Sequence, residues 1–134
     1  MNIQETVINY FAERKDVLCV YLFGSAAKGK ENIHSDVDIA VLFDGSMPAE
    51  RYNEEILPIV DTLSRILDRD VDIVALNSAD TFMRFQVIKN GLRIYERPDR
   101  REHNFEAKAI MEYFDFLPIR KRMEDALIRN IKGA

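Results

Sequence analysis

The sequence predicts an α/β (α+β) fold, a small mixed β-sheet flanked by helices with further helices at the C-terminal end. Three observations carry this. Some stretches repeat apolar residues at helical spacing, others are short apolar runs rich in β-branched and aromatic residues, and turn signals separate the two kinds along the chain. No repeat, linker or low-complexity stretch interrupts the 134 residues, the length of one domain over residues 1–134. A chain of this size buries roughly two thirds of its unfolded surface, so one core is expected.

Each element follows from its own pattern. Ile3, Val7, Tyr10 and Phe11 recur at helical spacing before the charged break from Glu13 to Asp16, which gives an amphipathic first helix. Val17 to Phe23 is apolar on both alternating faces and stops at Gly24, so it reads as a buried central strand. Asp36 to Phe43 reads as a second strand. Tyr52, Ile56, Ile59, Val60, Leu63, Ile66 and Leu67 form a helical stripe in which Pro58 predicts a kink or a restart. Val71 to Leu76 is a third strand. Phe82, Phe85 and Ile88 mark a short helix ending near Asn90-Gly91, and Leu92 to Glu96 an edge strand. The tail carries one stripe through Phe105, Ala109, Ile110, Tyr113, Phe114 and Leu117, and a second through Ile119, Met123, Leu127 and Ile131, which predicts two helices broken at Pro118. Residues 1–96 are therefore expected to form the core of the domain and 97–134 a helical tail. Two tail helices carry more apolar surface than so small a core can cover, which favours a partner or self-association.

Composition removes several function classes. Hydrophobic residues are 47% and charged residues 31%, with 5 Gly and 4 Pro, which excludes disorder and fibrous classes. No apolar run approaches the about 20 residues that cross a bilayer, and MNIQETVINY has no basic segment followed by an apolar one, so a soluble, cytoplasmic protein is expected with no membrane partner. One cysteine and two histidines cannot assemble a Cys/His zinc site, so any metal must be held by oxygen. The net charge of -4 is uneven: residues 1–96 carry 10 basic and 16 acidic side chains, residues 97–134 carry 9 and 7. An acidic body is a poor match for a polynucleotide, whose affinity rests on phosphate neutralisation, so nucleic acid is not expected as the main ligand.

The informative segment is Gly24-Ser25 followed, ten residues later, by Asp36-Val37-Asp38. Alternation along a strand sends Asp36 and Asp38 to the same face with Cα atoms about 6.6 Å apart, so both carboxylates can reach one cation. At about 4 Å, two like charges repel by roughly 4 kcal/mol in a near-surface dielectric, which argues for a counter-cation. Mg²⁺ fits, because it takes carboxylate oxygens together with substrate phosphates. Asp72, with Val71 and Ile73 facing the other way, supplies a third carboxylate if its strand pairs in register; Asp70 has the same parity and competes for the place. Such a set suits two ions clamping an in-line phosphoryl displacement, with the third carboxylate positioned to take a proton. Gly24 permits close backbone approach, Ser25 offers a hydroxyl and an amide at a helix start, and Lys28 and Lys30 lie within reach of the same anion, all of which suits a triphosphate.

FGSAAKGKENIHSDVDIAVLF, with VDIVAL carrying the third acidic position, resembles the signature of the polymerase beta-like nucleotidyltransferase superfamily. Within it the chain is most similar to the minimal nucleotidyltransferase (MNT) antitoxins of HEPN/MNT toxin-antitoxin pairs, and AKAIMEYFDFLPIRKRMEDAL also resembles the end of that group. The resemblance implies the nucleotidyltransferase fold, a requirement for ATP and Mg²⁺ (two ions), and transfer of AMP to a tyrosine hydroxyl of a partner HEPN ribonuclease toxin, which silences it. Assembly with the toxin is expected, with a homodimer as the form taken alone. Carried over by position, Gly24, Ser25 and Lys28 would hold the nucleotide, Asp36, Asp38 and Asp72 would bind metal, and Asp72 would be the candidate base. The pattern departs at Ala26 and Lys28, where many members carry arginine, whose bidentate fork a lysine replaces by a point charge. Two other readings stand beside this one: an antitoxin that only blocks its partner sterically, and a small-molecule nucleotidyltransferase of the aminoglycoside type.

Overall fold

A computed structural model describes residues 2–24, 36–99 and 103–132. The elements run α1 (Ile3–Ala12), β1 (Val17–Phe23), β2 (Val37–Phe43), a 3-10 turn (Ala49–Arg51), α2 (Tyr52–Leu67), β3 (Val71–Ala75), α3 (Thr81–Asn90), β4 (Leu92–Glu96) and α4 (His103–Lys132). The strands form one mixed sheet in the order β3-β2-β1-β4. β1 is antiparallel to β2 and β4, and β2 is parallel to β3 through the α2 crossover. The central place of β1 and the edge place of β4 are those the patterns predict.

Each face of the sheet has its own apolar layer. Val20, Leu22, Val37, Ile39, Val41, Phe43, Val71 and Ile73 pack against Val7 and Phe11 of α1 and Ile59 and Leu63 of α2. On the opposite face Leu18, Cys19, Tyr21, Ala40 and Leu42 meet Val87 and Met83 of α3 and Phe105 of α4. The register of β1 shifts between Val17 and Cys19, which lets Leu18 and Cys19 both serve the second layer. Caps end the helices cleanly: Asn2 accepts from the Glu5 amide at 2.7 Å and Asp80 from the Met83 amide at 2.7 Å. Arg14 ties the end of α1 to Asp16 and to Glu55 of α2, at 2.7 and 2.8 Å.

The restart at Pro58 and the break at Pro118 are corrected. α2 runs unbroken through Pro58 and α4 unbroken through Pro118. A proline in a helix removes one hydrogen bond, but Ile59 and Leu63 are wholly buried, and their burial outweighs the loss in α2. In α4 the residues after the proline are good helix formers, joined by the Arg120–Glu124 pair at 3.0 Å. The short helix predicted from Phe82, Phe85 and Ile88 is α3, and it packs on two sides. Val87 and Met83 face the sheet, whereas Phe85 stacks on Tyr113 of α4 with ring centroids 4.0 Å apart and Phe82 is 44% exposed. The helix is sandwiched between sheet and α4, so it carries two apolar stripes.

The first half of α4 is anchored. Ala109 is buried, and Glu106 accepts from the Tyr21 hydroxyl and pairs with Arg93. Beyond Tyr113 it keeps contact with α3 through Phe114 on Phe85 and Arg120 over Phe82, while Ile119, Met123, Leu127 and Ile131 are between 47% and 70% exposed.

Candidate active site

β1 ends at Phe23 and the chain turns at Gly24, which sits at φ 67° in the left-handed region that favours glycine. A Cβ at this position would lie 2.5 Å from Oδ2 of Asp38, so a side chain here would collide with the carboxylate. Glycine is thus favoured by conformation, and any larger residue would also displace the Asp38 carboxylate.

Asp38 is the second residue of β2. It stands opposite Phe23 on β1 and opposite Asp72 on β3. Directly opposed residues share a face, so Phe23, Asp38 and Asp72 all lie on the α3/α4 side of the sheet. Val37, Ile39, Val71 and Ile73 turn to the α1/α2 layer and fix that parity, because a slip of one residue would bury the carboxylates and expose the core. Asp36 immediately precedes β2 and is exposed, as is Asp72, while Asp38 is half-buried. Burial raises the pKa of Asp38 above its ordinary value of 3.8, and the charges of Asp72 and Asp36 push it further in the same direction.

The three aspartates predicted to act together are therefore neighbours that feel one another. They do not close on a single point: among the described residues no three His, Cys, Asp or Glu side chains converge tightly enough to hold a metal ion. The donor set still fits Mg²⁺, which is held by one or two carboxylates and completes its shell with water and substrate phosphate. An acidic neighbour whose charge raises the pKa of Asp38 is a place where a cation relieves repulsion.

Asp68, Asp70 and Asp72 take different places in the backbone. Asp68 ends α2 in the left-handed conformation (φ 53°), Asp70 accepts from the Val37 amide at 2.9 Å through its carbonyl, and only Asp72 lies opposite Asp38. Ser25, Ala26, Lys28 and Lys30 lie outside the described residues. The residues that sequence reasoning missed are Met83, Gln86 and Asn90 of α3, which line a cavity against Phe23 and Gly24. Their signal was the second helical stripe, at positions 83, 86, 87 and 90, hidden beside the more apolar one through Phe82 and Phe85.

Residues 5–100, from α1 to just past β4, match the family described as polymerase beta, nucleotidyltransferase. The chain belongs to this family. Among the relatives of this nucleotidyltransferase is the protein adenylyltransferase MntA of Shewanella oneidensis, 32% identical over 111 residues that span 83% of this chain and 76% of the relative. The protein adenylyltransferase MntA of Aphanizomenon flos-aquae is 30% identical over 122 residues, 84% of this chain and 76% of the relative. Of the solved structures, a toxin-antitoxin complex with AMP-PNP superposes with a TM-score of 0.75 at 28% identity, covering 93% of this chain and 98% of that one. A complex of tri-AMPylated Shewanella oneidensis HEPN toxin with MNT antitoxin superposes with a TM-score of 0.71 at 26% identity, covering 94% and 96%. The mixed sheet, flanking helices and long final helix of this nucleotidyltransferase are thus those of the solved relatives.

Proposed function

We propose that this nucleotidyltransferase is an antitoxin that moves AMP from ATP to a tyrosine hydroxyl of a partner HEPN ribonuclease toxin and so neutralises it. The observation that carries the reading is the register that sets Asp38 beside Asp72, with Asp36 two residues away and Gly24 against Asp38, in a chain whose relatives are protein adenylyltransferases. Residues 1–134 act as one domain, with 1–96 holding the catalytic groups and 97–134 presenting the partner-binding tail.

Gly24, Ser25 and Lys28 bind the triphosphate: the bare backbone of Gly24 lets phosphate approach, while Ser25 and Lys28 offer an amide, a hydroxyl and a positive charge. Asp36, Asp38 and Asp72 are the carboxylates that would hold Mg²⁺, one or two to an ion with water and phosphate completing its shell, and the bound ion would offset negative charge on the phosphates of ATP. Asp72 lies at the exposed edge of the trio, where the tyrosine approaches, and takes the hydroxyl proton. The tyrosine oxygen bonds to the α-phosphorus as the bond from that phosphorus to the pyrophosphate oxygen breaks, so AMP goes to the toxin and pyrophosphate leaves. The protein's contribution is positioning and electrostatics.

The exposed side chains of Ile119, Met123, Leu127 and Ile131 favour a stable complex with the toxin, since so long an apolar stripe on a free helix calls for a partner. Among the described residues no helix is long and apolar enough to cross a membrane, and the cytoplasm, where a ribonuclease meets its substrates, is the proposed location.

Asp36→Ala with Asp38→Ala tests the chemistry. The wild type incubated with the toxin, ATP and Mg²⁺ adds adenylyl mass to the toxin, and the double variant still binds the toxin but adds none. Full neutralisation of the toxin by the double variant would show that steric blocking suffices. Antibiotic protection by this chain without any toxin partner would point instead to a small-molecule acceptor.

A further inference from the structure

α4 carries one apolar stripe for most of its length. In its first half Phe105 packs against the sheet's second layer, Ala109 is buried, and Tyr113 stacks on Phe85 of α3. At about 100° per residue, Phe116, Met123 and Leu127 continue that same face past Phe82, near the start of α3, where the body no longer covers it. The overhang leaves a groove of about 490 Å³, lined by Phe82, Phe116, Arg120, Met123, Glu124 and Leu127. Arg120 borders it, with its guanidinium 5.3 Å from the centre of the Phe82 ring and its Nε donating to Glu124 at 3.0 Å.

Charge order along this stretch says what fits it. Arg120-Lys121-Arg122 is a basic run and Glu124-Asp125 an acidic one, and Met123 alone separates them. Lys121, Arg122, Glu124 and Asp125 are all exposed. A second α4 laid parallel would set each run beside its like, which costs affinity. Laid antiparallel with its centre beside Arg122 and Met123, it sets each basic run beside the other copy's acidic run. The same placement brings Phe116 and Ile119 alongside the second copy's Leu127 and Ile128, and carries its Ile131 to the corner at Phe82. The stretch is thus its own complement in charge and in apolar content, as a two-fold interface requires.

We propose that, without toxin, two copies of this chain pair antiparallel through residues 116–131 of α4, basic run against acidic run, with their exposed apolar stripes forming the seam. From Phe116 to Ile131 that seam is about 22 Å long on helices about 10 Å across. It falls short of the roughly 800 Å² per partner of a stable interface, so the pair is reversible and yields the stripe to the toxin. The pairing needs only the tail and is independent of the transfer chemistry.

Sedimentation of the whole chain without toxin, over a range of concentrations, tests this. Wild type passes from one chain mass to twice that mass as concentration rises. Lys121→Glu with Arg122→Glu makes both runs acidic apart from Arg120, and Glu124→Lys with Asp125→Lys makes both basic. Each variant alone dimerises at least about tenfold more weakly than wild type, while an equal mixture of the two forms a mixed dimer at least as tight as that of wild type. All four side chains are exposed, so an unchanged Tm for each variant checks the fold. Orientation is read by oxidation: Met123→Cys, near the centre, crosslinks two copies, and Ile131→Cys, near the end, does not. A wild type that stays monomeric at every concentration would overturn the pairing and leave the toxin as the occupant of the stripe. Charge variants that dimerise as wild type does, or crosslinking at both cysteines, would overturn the antiparallel seam. If the dimer behaves as expected while the toxin gains no adenylyl mass, the pairing stands and the transferase reading falls.

Discussion

Asp38 is held where its charge is unwelcome, and removing that charge should make the metal-free protein more stable while destroying its activity. Neighbouring strands lie about 4.8 Å apart, so the Asp38 and Asp72 carboxylates of this register sit at about 5 Å if both extend alike. Coulomb's law then gives roughly 0.8 kcal/mol of repulsion in water and roughly 3.3 kcal/mol at an effective dielectric of 20. Asp72 is exposed and Asp38 only half-buried, which selects the lower part of that range, about 1 kcal/mol. For a chain of this size that corresponds to about 3 to 4 °C in Tm. The sign follows from linkage. The folded-state pKa of Asp38 is raised, so ionisation penalises the folded form above that pKa, and the penalty disappears as the pH falls below the ordinary carboxylate value. Thermal unfolding of Asp38→Asn against wild type in chelator at pH 7 should show the variant melting higher by about 3 to 4 °C. The gap should shrink toward zero near pH 3.5, where the carboxylates of wild type are protonated. Added Mg²⁺ should raise the Tm of wild type more than that of the variant, since only ligand bound to the folded state stabilises it. A variant that melts lower at pH 7 in chelator, or a gap that does not change with pH, would refute the electrostatic account of the site.

Two further outcomes follow from the helices. Pro58 is exposed in the interior of α2 and denies a hydrogen bond to the Glu54 carbonyl, so Pro58→Ala should stabilise the protein by about 2 kcal/mol, the helix-propensity gain less the loss of unfolded-state restriction. A higher midpoint in urea at unchanged slope checks it, and a lower midpoint would mean the ring packs on something the helix needs. Met123 and Leu127 are 63% and 61% exposed, so Met123→Glu with Leu127→Glu should change stability by less than about 0.5 kcal/mol per site yet weaken the complex with the toxin at least about tenfold. Equal affinity for the toxin, measured by calorimetry, would place the partner elsewhere on the surface.

Wherever the pattern had one physical solution, it was legible in the chain. Val17 to Phe23 has no polar face, so it had to be a covered inner strand, and β1 lies between β2 and β4. Asp36 and Asp38 flank a valine that had to be buried, which set both carboxylates on the other face before any partner strand was known. The prolines misled because their penalty is local and fixed, whereas the compensation is not: Ile59 and Leu63 hold α2 together through contacts with residues far away in sequence. The stripe through Phe82 and Phe85 marked the helix, and only the structure shows that this face serves α4.

The amino-acid order by itself determined the alternation of helix and strand, the glycine turn and the spacing of the acidic pair, because each depends on residues within a few positions of one another. It left open which of Asp70 and Asp72 lies opposite Asp38, and that Met83, Gln86 and Asn90 face Phe23 and Gly24. Those were decided by strand register and by the seating of α3 on the sheet. Both bring together residues more than thirty positions apart, and the free energy that selects such pairings comes from burying the whole core at once, a quantity no local window of sequence contains.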